Sequence, residues 1–125
     1  MIALPLTIAQ ASWGEVAAEL LRDCFTVPGA LEKVAAQVEA GIASLFMVDQ
    51  GDEIVAAFVL RVDGDEGVIV AFGGPVALSL ELLPHMEARF SGVRVIRVHT
   101  ARPGVAHLLA RREYDAAEIV LRKVL

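Results

Sequence analysis

The spacing of apolar positions changes several times along the chain, and each change marks an element. Val16, Leu20, Leu21 and Cys24 share one stripe opposite Glu15, Glu19, Arg22 and Asp23, which predicts a helix from Ile8 to about Cys24. Thr7 and Gln10 have capping-box spacing at its start. Thr26 and Pro28 open a second helix, Gly29 to Ala40, with Leu31, Val34, Ala35 and Val38 inward and Gly41 as its stop. The helical spacing then gives way to short runs of consecutive apolar residues. Ser44 to Val48 and Glu53 to Val62 read as strands joined by Asp49-Gln50-Gly51-Asp52, and Asp63-Gly64-Asp65 closes a hairpin into a third strand, Gly67 to Phe72. That third strand is uncharged and rich in β-branched residues, as expected of a central strand covered on both faces.

Gly73-Gly74-Pro75 ends the strand, and from Val76 the spacing becomes helical through Leu78, Leu82, Leu83, Met86 and Phe90. Pro84 lacks an N–H and predicts a kink or restart within this helix. Val93 to His99 is the next strand; a helical crossover separates it from the meander, which lets it lie parallel to 67–72. A helix from Arg102 to Glu113, with Val105, Leu108 and Leu109 inward, and a strand from Tyr114 to Val124 complete the chain. The fold class is therefore α/β (α+β), with a mostly antiparallel sheet flanked by helices.

At 125 residues the chain fits a single domain, 1–125, large enough to bury a core without metal or disulfide staples. Although 56% of residues are hydrophobic, charge-free runs such as Gly67 to Leu80 are shorter than the roughly 20 residues that span a bilayer, so no membrane segment is expected. No basic residue precedes the apolar positions at the N-terminus, which argues against a signal peptide. A cytoplasmic protein is the expectation. The single cysteine, Cys24, excludes an internal disulfide and a multi-cysteine metal site.

The net charge of −5 is unevenly divided: residues 1–88 carry −10 and residues 89–125 carry +5. The preferred reading is attraction between the two parts within the fold or across a homodimer. A nucleic-acid partner is the lesser reading, since no aromatic residues interleave with the basic ones and the whole protein is acidic.

Candidate chemistry concentrates at the glycine corner. A strand feeding a helix through Gly73 and Gly74 leaves free N–H groups at a helix N-terminus, a place that can hold a phosphate; the plainer reading is a tight turn. His85, His99 and His107 lack the spacing of a metal cluster, so no metal is expected. Ser12, Ser44, Ser79 and Ser91 lack the Gly-x-Ser-x-Gly context of a nucleophile. Cys24, near a helix C-terminus, reads as a structural thiol.

The order of elements resembles the GNAT acetyltransferase superfamily, with Met1 to Leu6 available as its first strand. The resemblance covers nearly the whole chain. Ile96-x-Val98, Arg102 to Leu108 and Arg111-Arg112-Glu113-Tyr114 look like the superfamily's strand, helix and entry to the last strand. It implies a splay between the fourth and fifth strands, and acyl transfer from acetyl-CoA or another acyl-CoA to a small-molecule or protein amine without metal. The superfamily's phosphate-binding signature, anchored on Leu82-Leu83, falls on Gly74 to Ser79: Ala77 and Ser79 keep its small positions, Gly74 replaces its Arg or Gln, and Pro75 removes a donor.

The implied cofactor contacts are Phe72, Gly73, Gly74, Val76, Ala77, Leu78 and Ser79, with Arg102 reaching a phosphate. The implied catalytic candidates are His99, as a base toward an ammonium, and Glu66, as a base through water. Against these, Thr100 suits a helix cap, Arg102 an ion pair and Glu66 a solvated turn. Leu109 stands where the superfamily often carries a proton-donating tyrosine, and leucine cannot donate. Acyl-CoA binding is accordingly expected to be weak. Three readings follow: an acyl-CoA-dependent N-acyltransferase with a weakened cofactor signature, an inactive binding or assembly protein of the same fold, and a small protein that contacts nucleic acid.

Overall fold

The computed structural model describes residues 4–100, 103–117, 121 and 123–125. The elements are β1 (Leu6–Ala11), α1 (Glu15–Leu21), a 3₁₀ turn (Arg22–Cys24), α2 (Ala30–Glu39), β2 (Ala43–Gln50), β3 (Glu53–Asp63), β4 (Glu66–Gly73), α3 (Val76–Ala88), β5 (Val95–Val98) and α4 (Pro103–Ala110). The five strands lie in chain order, β1-β2-β3-β4-β5. The first four are antiparallel neighbours, and β5 pairs parallel to β4 after the α3 crossover. This is the expected mixed sheet.

The alternation along each strand assigns its two faces. Leu45, Ala57, Val59 and Ala71 point to one side, where Ala17 and Leu21 of α1 and Val34 of α2 close a buried cluster. Val48, Phe58, Leu60 and Ile69 point to the other, where Leu82, Leu83 and Met86 of α3 cover them and Leu109 of α4 packs at the edge. Phe58 is fully buried and stacks on Phe46 with ring centroids 5.1 Å apart. The central strands are therefore covered on both faces, as their unbroken apolar runs require.

The β2–β3 and β3–β4 turns place Gly51 at φ 64° and Gly64 at φ 61°, the left-handed backbone that tight hairpins demand. Helix α3 runs from Val76 to Ala88 with Pro84 inside it.

Two sequence expectations are corrected. Residues 6–11 form β1, so the first helix starts at Glu15, and the capping-box pair Thr7 and Gln10 lies on a strand opposite Asp49 and Phe46. Leu6 and Ile8 alternate with Thr7 and Ala9, and pairing to β2 satisfies that period of two; Gly14, without a side-chain cap, begins the helix instead. The expected last strand, Tyr114 to Val124, is also not found: residues 114–117, 121 and 123–125 carry no strand, and residues 118–120 and 122 lie outside the described residues. Tyr114 instead donates a hydrogen bond to the Glu87 carboxylate at 2.8 Å, next to the end of α3.

Two of the basic residues of 89–125 meet acids of the earlier part inside the fold. Arg94 pairs with Asp65 at 2.9 Å; Arg97 pairs with Glu66 at 2.6 Å and Asp63 at 3.1 Å. Basic residues entering or lying on β5 thus meet acids at the β3–β4 hairpin, which draws β5 onto β4.

Candidate functional site

Strand β4 changes partners partway along its length. Its pairing with β5 runs from Glu66–Val95 to Ile69–Val98 and stops, whereas its pairing with β3 continues to Gly73–Ala57. The register with β3 shifts between Val59 and Leu60: Leu60 faces Ile69 and Val59 faces Ala71, which leaves Val70 as the extra residue of a bulge. A bulge bends its strand and increases local twist. It lies where β4 and β5 part, so the C-terminal half of β4 has no β5 neighbour.

The gap opens into a cleft of about 70 Å³. Ile69 and Phe72 of β4, Val98 of β5, Leu83 of α3 and Leu108 and Leu109 of α4 form much of its wall, and Ser79 is its polar member. Ligand pockets commonly reach about 300–1,000 Å³, so this space suits a group of a few atoms rather than a whole cofactor.

At one end of the cleft stands the N-terminus of α3. Pro75, in extended backbone, is its N-cap, and its carbonyl accepts the N–H groups of Leu78 at 3.0 Å and Ser79 at 3.2 Å. The N–H groups of Val76 and Ala77 have no acceptor among the described residues. No acid lies in the first turn, and the Ser79 hydroxyl donates back to the Val76 carbonyl at 2.5 Å. Two donors without an acceptor at the positive end of a 13-residue helix are the kind of group that can hold an anion.

The glycines before this corner are fixed by close approach. A Cβ on Gly73 would run into the Leu20 carbonyl of α1, and Gly74, at φ 143°, would put its Cβ 2.9 Å from that of Ala56. The Cys24 thiol donates to the Phe72 carbonyl at 2.9 Å and ties the 3₁₀ turn to the same bend. Sequence spacing located the turn from β4 into α3. It did not show the bulge at Val70, because a register shift depends on the partner strand.

The other candidates are dispersed. His99 is exposed, one residue beyond the last β4–β5 pair, and does not line the cleft. Glu66 is at the opposite end of β4, bound to Arg97. His85 and His107 are exposed, and Arg102 lies outside the described residues. Leu109 lines the cleft. Among the described residues no cluster of His, Cys, Asp and Glu could hold a metal ion, and no helix is long and apolar enough to cross a membrane. A larger groove, about 440 Å³, lies away from this corner, between the end of β1 and the C-terminus of α2.

No protein-family model matches the sequence, and no curated protein matches it. Solved structures do. A GCN5-related N-acetyltransferase from Ralstonia eutropha JMP134 superposes with a TM-score of 0.71 at 14% identity, over 96% of this chain and 99% of that one. An acetyltransferase from Bacillus subtilis in complex with CoA gives 0.62 at 16% identity, over 87% and 74%. An aminoglycoside acetyltransferase from an uncultured soil metagenomic sample, in complex with sisomicin, gives 0.57 at 11% identity, over 96% of each. At these identities the likeness is one of architecture: the chain has the fold of the GNAT acetyltransferases.

Proposed function

We propose that the protein binds an acyl-coenzyme A, with its pyrophosphate on the N-terminus of α3 and its thioester in the cleft between β4 and β5, and passes a short acyl group to an amine. The observation that carries this reading is the placement of the two free N–H groups of Val76 and Ala77 beside an apolar gap of about 70 Å³. One receives negative charge, and the other receives a small acyl group and excludes water. The similar Bacillus subtilis structure contains CoA, which supports the choice of ligand.

The residues present define how such a reaction would run. The amine nitrogen attacks the thioester carbonyl, the carbon–sulfur bond breaks, and the coenzyme leaves as a thiolate. Leu109, on the cleft wall, supplies no proton to that sulfur, and among the described residues of the wall Ser79 alone carries an O–H. The ammonium proton of the acceptor passes to water or to His99 just outside the cleft. Catalysis then rests on positioning, and turnover is slow.

The same apolar wall favours a second reading, in which the protein binds an acyl-CoA without turning it over. Calorimetry with acetyl-CoA and a thiol-release assay with a panel of amines separate the two. The missing Arg or Gln at Gly74 and the missing donor at Pro75 each remove an interaction worth about 1.5–3 kcal/mol, so a micromolar site weakens to a dissociation constant of about 0.1 mM or poorer. Heat without thiol release supports the binding protein, and heat with amine-dependent release supports the transferase. No heat at millimolar acetyl-CoA removes both.

A further inference from the structure

The two edges of the sheet are built differently. Strand β5 follows Arg94 and carries Arg97, charges of the kind that blunt an edge against pairing. Strand β1 has no such protection. Residues 1–14 contain no charged side chain, in a chain where 22% of residues are charged. All six residues of β1 pair with β2, from Leu6–Gln50 to Ala11–Leu45, and its outer edge has no partner strand among the described residues. Thr7, Ala9 and Gln10 are exposed, while Leu6 and Ile8 pack partly onto the α3 face of the sheet. Such an edge offers a row of N–H and C=O groups to any strand that matches its alternation and brings no buried charge.

A second copy of β1 matches it. In an antiparallel pair about a twofold axis at Ile8, that residue lies opposite the partner's Ile8, Leu6 opposite the partner's Gln10, and Thr7 opposite the partner's Ala9. Every opposed pair then lies on the same face of the joined sheet, whereas a slip of one residue would set the apolar face of one copy against the exposed face of the other. No charge meets a like charge. Pro5, which has no N–H to give, ends the ladder, and the partner's Pro5 falls opposite Ala11 at the rim of the groove lined by Ser12, Trp13 and Glu39. We infer that the protein is a homodimer in which the β1 strands of two copies pair antiparallel and join two five-stranded sheets into one of ten. This assembly leaves the β4–β5 cleft, three strands away, open in each copy.

Sedimentation equilibrium of the full chain over about a hundredfold range of concentration tests the inference. At the upper end the mass is expected to be twice 13.3 kDa. Thr7→Lys/Ala9→Lys, at two exposed positions, should hold it at 13.3 kDa, while Val95→Lys on the other edge should leave the dimer intact. In a Cys24→Ser background, Ile8→Cys should cross-link to its own copy on oxidation and Gln10→Cys should not, because only the first lies on the axis. A wild-type mass of 13.3 kDa throughout, a dimer that survives the double lysine variant, or cross-linking at Gln10→Cys in place of Ile8→Cys would each overturn the inference. The cysteine pair decides the matter even if the lysine variant does not fold.

Discussion

The Arg97 guanidinium lies 2.6 Å from the Glu66 carboxylate, across the parallel pair β4 and β5. A second guanidinium nitrogen reaches Asp63 at 3.1 Å, and Asp63 in turn holds Arg61, which also donates to Gln37 of α2 at 3.2 Å. One chain of polar contacts thus joins α2, β3, β4 and β5. It sits at the end of β4 where β5 is attached, and the cleft opens at the other end. The network lies at the paired end of the splay.

Arg97→Met should therefore loosen β5 as well as destabilise the fold. The Arg97 and Glu66 side chains are 28% and 31% exposed, between the surface and buried regimes, so a loss of about 1–2 kcal/mol is expected in urea denaturation. Arg97→Lys should recover only part of it, since an ammonium is a single point of donation where the fork serves two carboxylates. Faster amide exchange confined to Val95–Val98 would identify the loosened strand. Exchange that rises uniformly would show that the network does not act on β5.

Much of the architecture was legible in the amino-acid pattern because it rests on local rules. The hairpin glycines Gly51 and Gly64 and the stop at Gly41 follow from backbone sterics, and the change of period after Gly73-Gly74 follows from the apolar spacing. The first element was misread because Thr7 and Gln10 satisfy a local capping rule, while the competing strand is stabilised by β2, some forty residues away. The site divides the same way: the helix N-terminus was visible in the spacing, whereas the bulge at Val70 and the pairing of Glu66 with Arg97 depend on neighbours distant in sequence.

Gly73→Ala should be among the most damaging single methyl additions. The new Cβ meets the Leu20 carbonyl, which is backbone held by α1 and cannot rotate away. A loss of at least about 2 kcal/mol is expected, as for severe overpacking in a core. An unchanged urea midpoint would show that α1 can shift away at little cost.

Pro84→Ala should be neutral or stabilising. Pro84 is exposed within α3, and its missing N–H deprives the helix of one i→i−4 bond. A higher melting temperature is expected. A fall of more than about 2 kcal/mol would mean that the proline sets the path of the helix.

Stability should decline at both ends of the pH scale, for different reasons. Asp63 is held below its ordinary value of 3.8, first by the hydrogen bond from Arg61, and Asp65 likewise by that from Arg94. A depressed carboxyl stabilises the fold above its unfolded value, and that contribution is lost as pH falls from about 4 through the lower folded values. Tyr114 is shifted upward, first by burial, then by its hydrogen bond to Glu87 and that carboxylate's charge. A raised phenol stabilises the fold fully below its unfolded value of 10.0, and the contribution declines above it as the unfolded chain ionises. Tyr114→Phe should flatten the alkaline limb of a melting-temperature profile and leave the acid limb in place. An alkaline limb that persists in the variant would assign it to another group.

Ala77→Asp tests the anion corner without the usual confusion between lost binding and lost folding. Ala77 is exposed in the first turn of α3, where its N–H has no acceptor among the described residues. A carboxylate there interacts favourably with the helix dipole, by about 0.3–1 kcal/mol, so the variant should melt at the same temperature or higher. The same charge stands where a pyrophosphate would sit, and it both repels the ligand and competes for the N–H groups. Loss of one charge-assisted contact costs about 1.5–3 kcal/mol, or roughly ten- to more than a hundredfold in affinity. Acetyl-CoA binding near 0.1 mM should therefore become undetectable by calorimetry. Ala77→Ser, which adds a hydroxyl and no charge, should bind as the parent does. Equal affinity in Ala77→Asp and the parent would place the phosphates elsewhere and leave the N-terminus of α3 as an ordinary helix start.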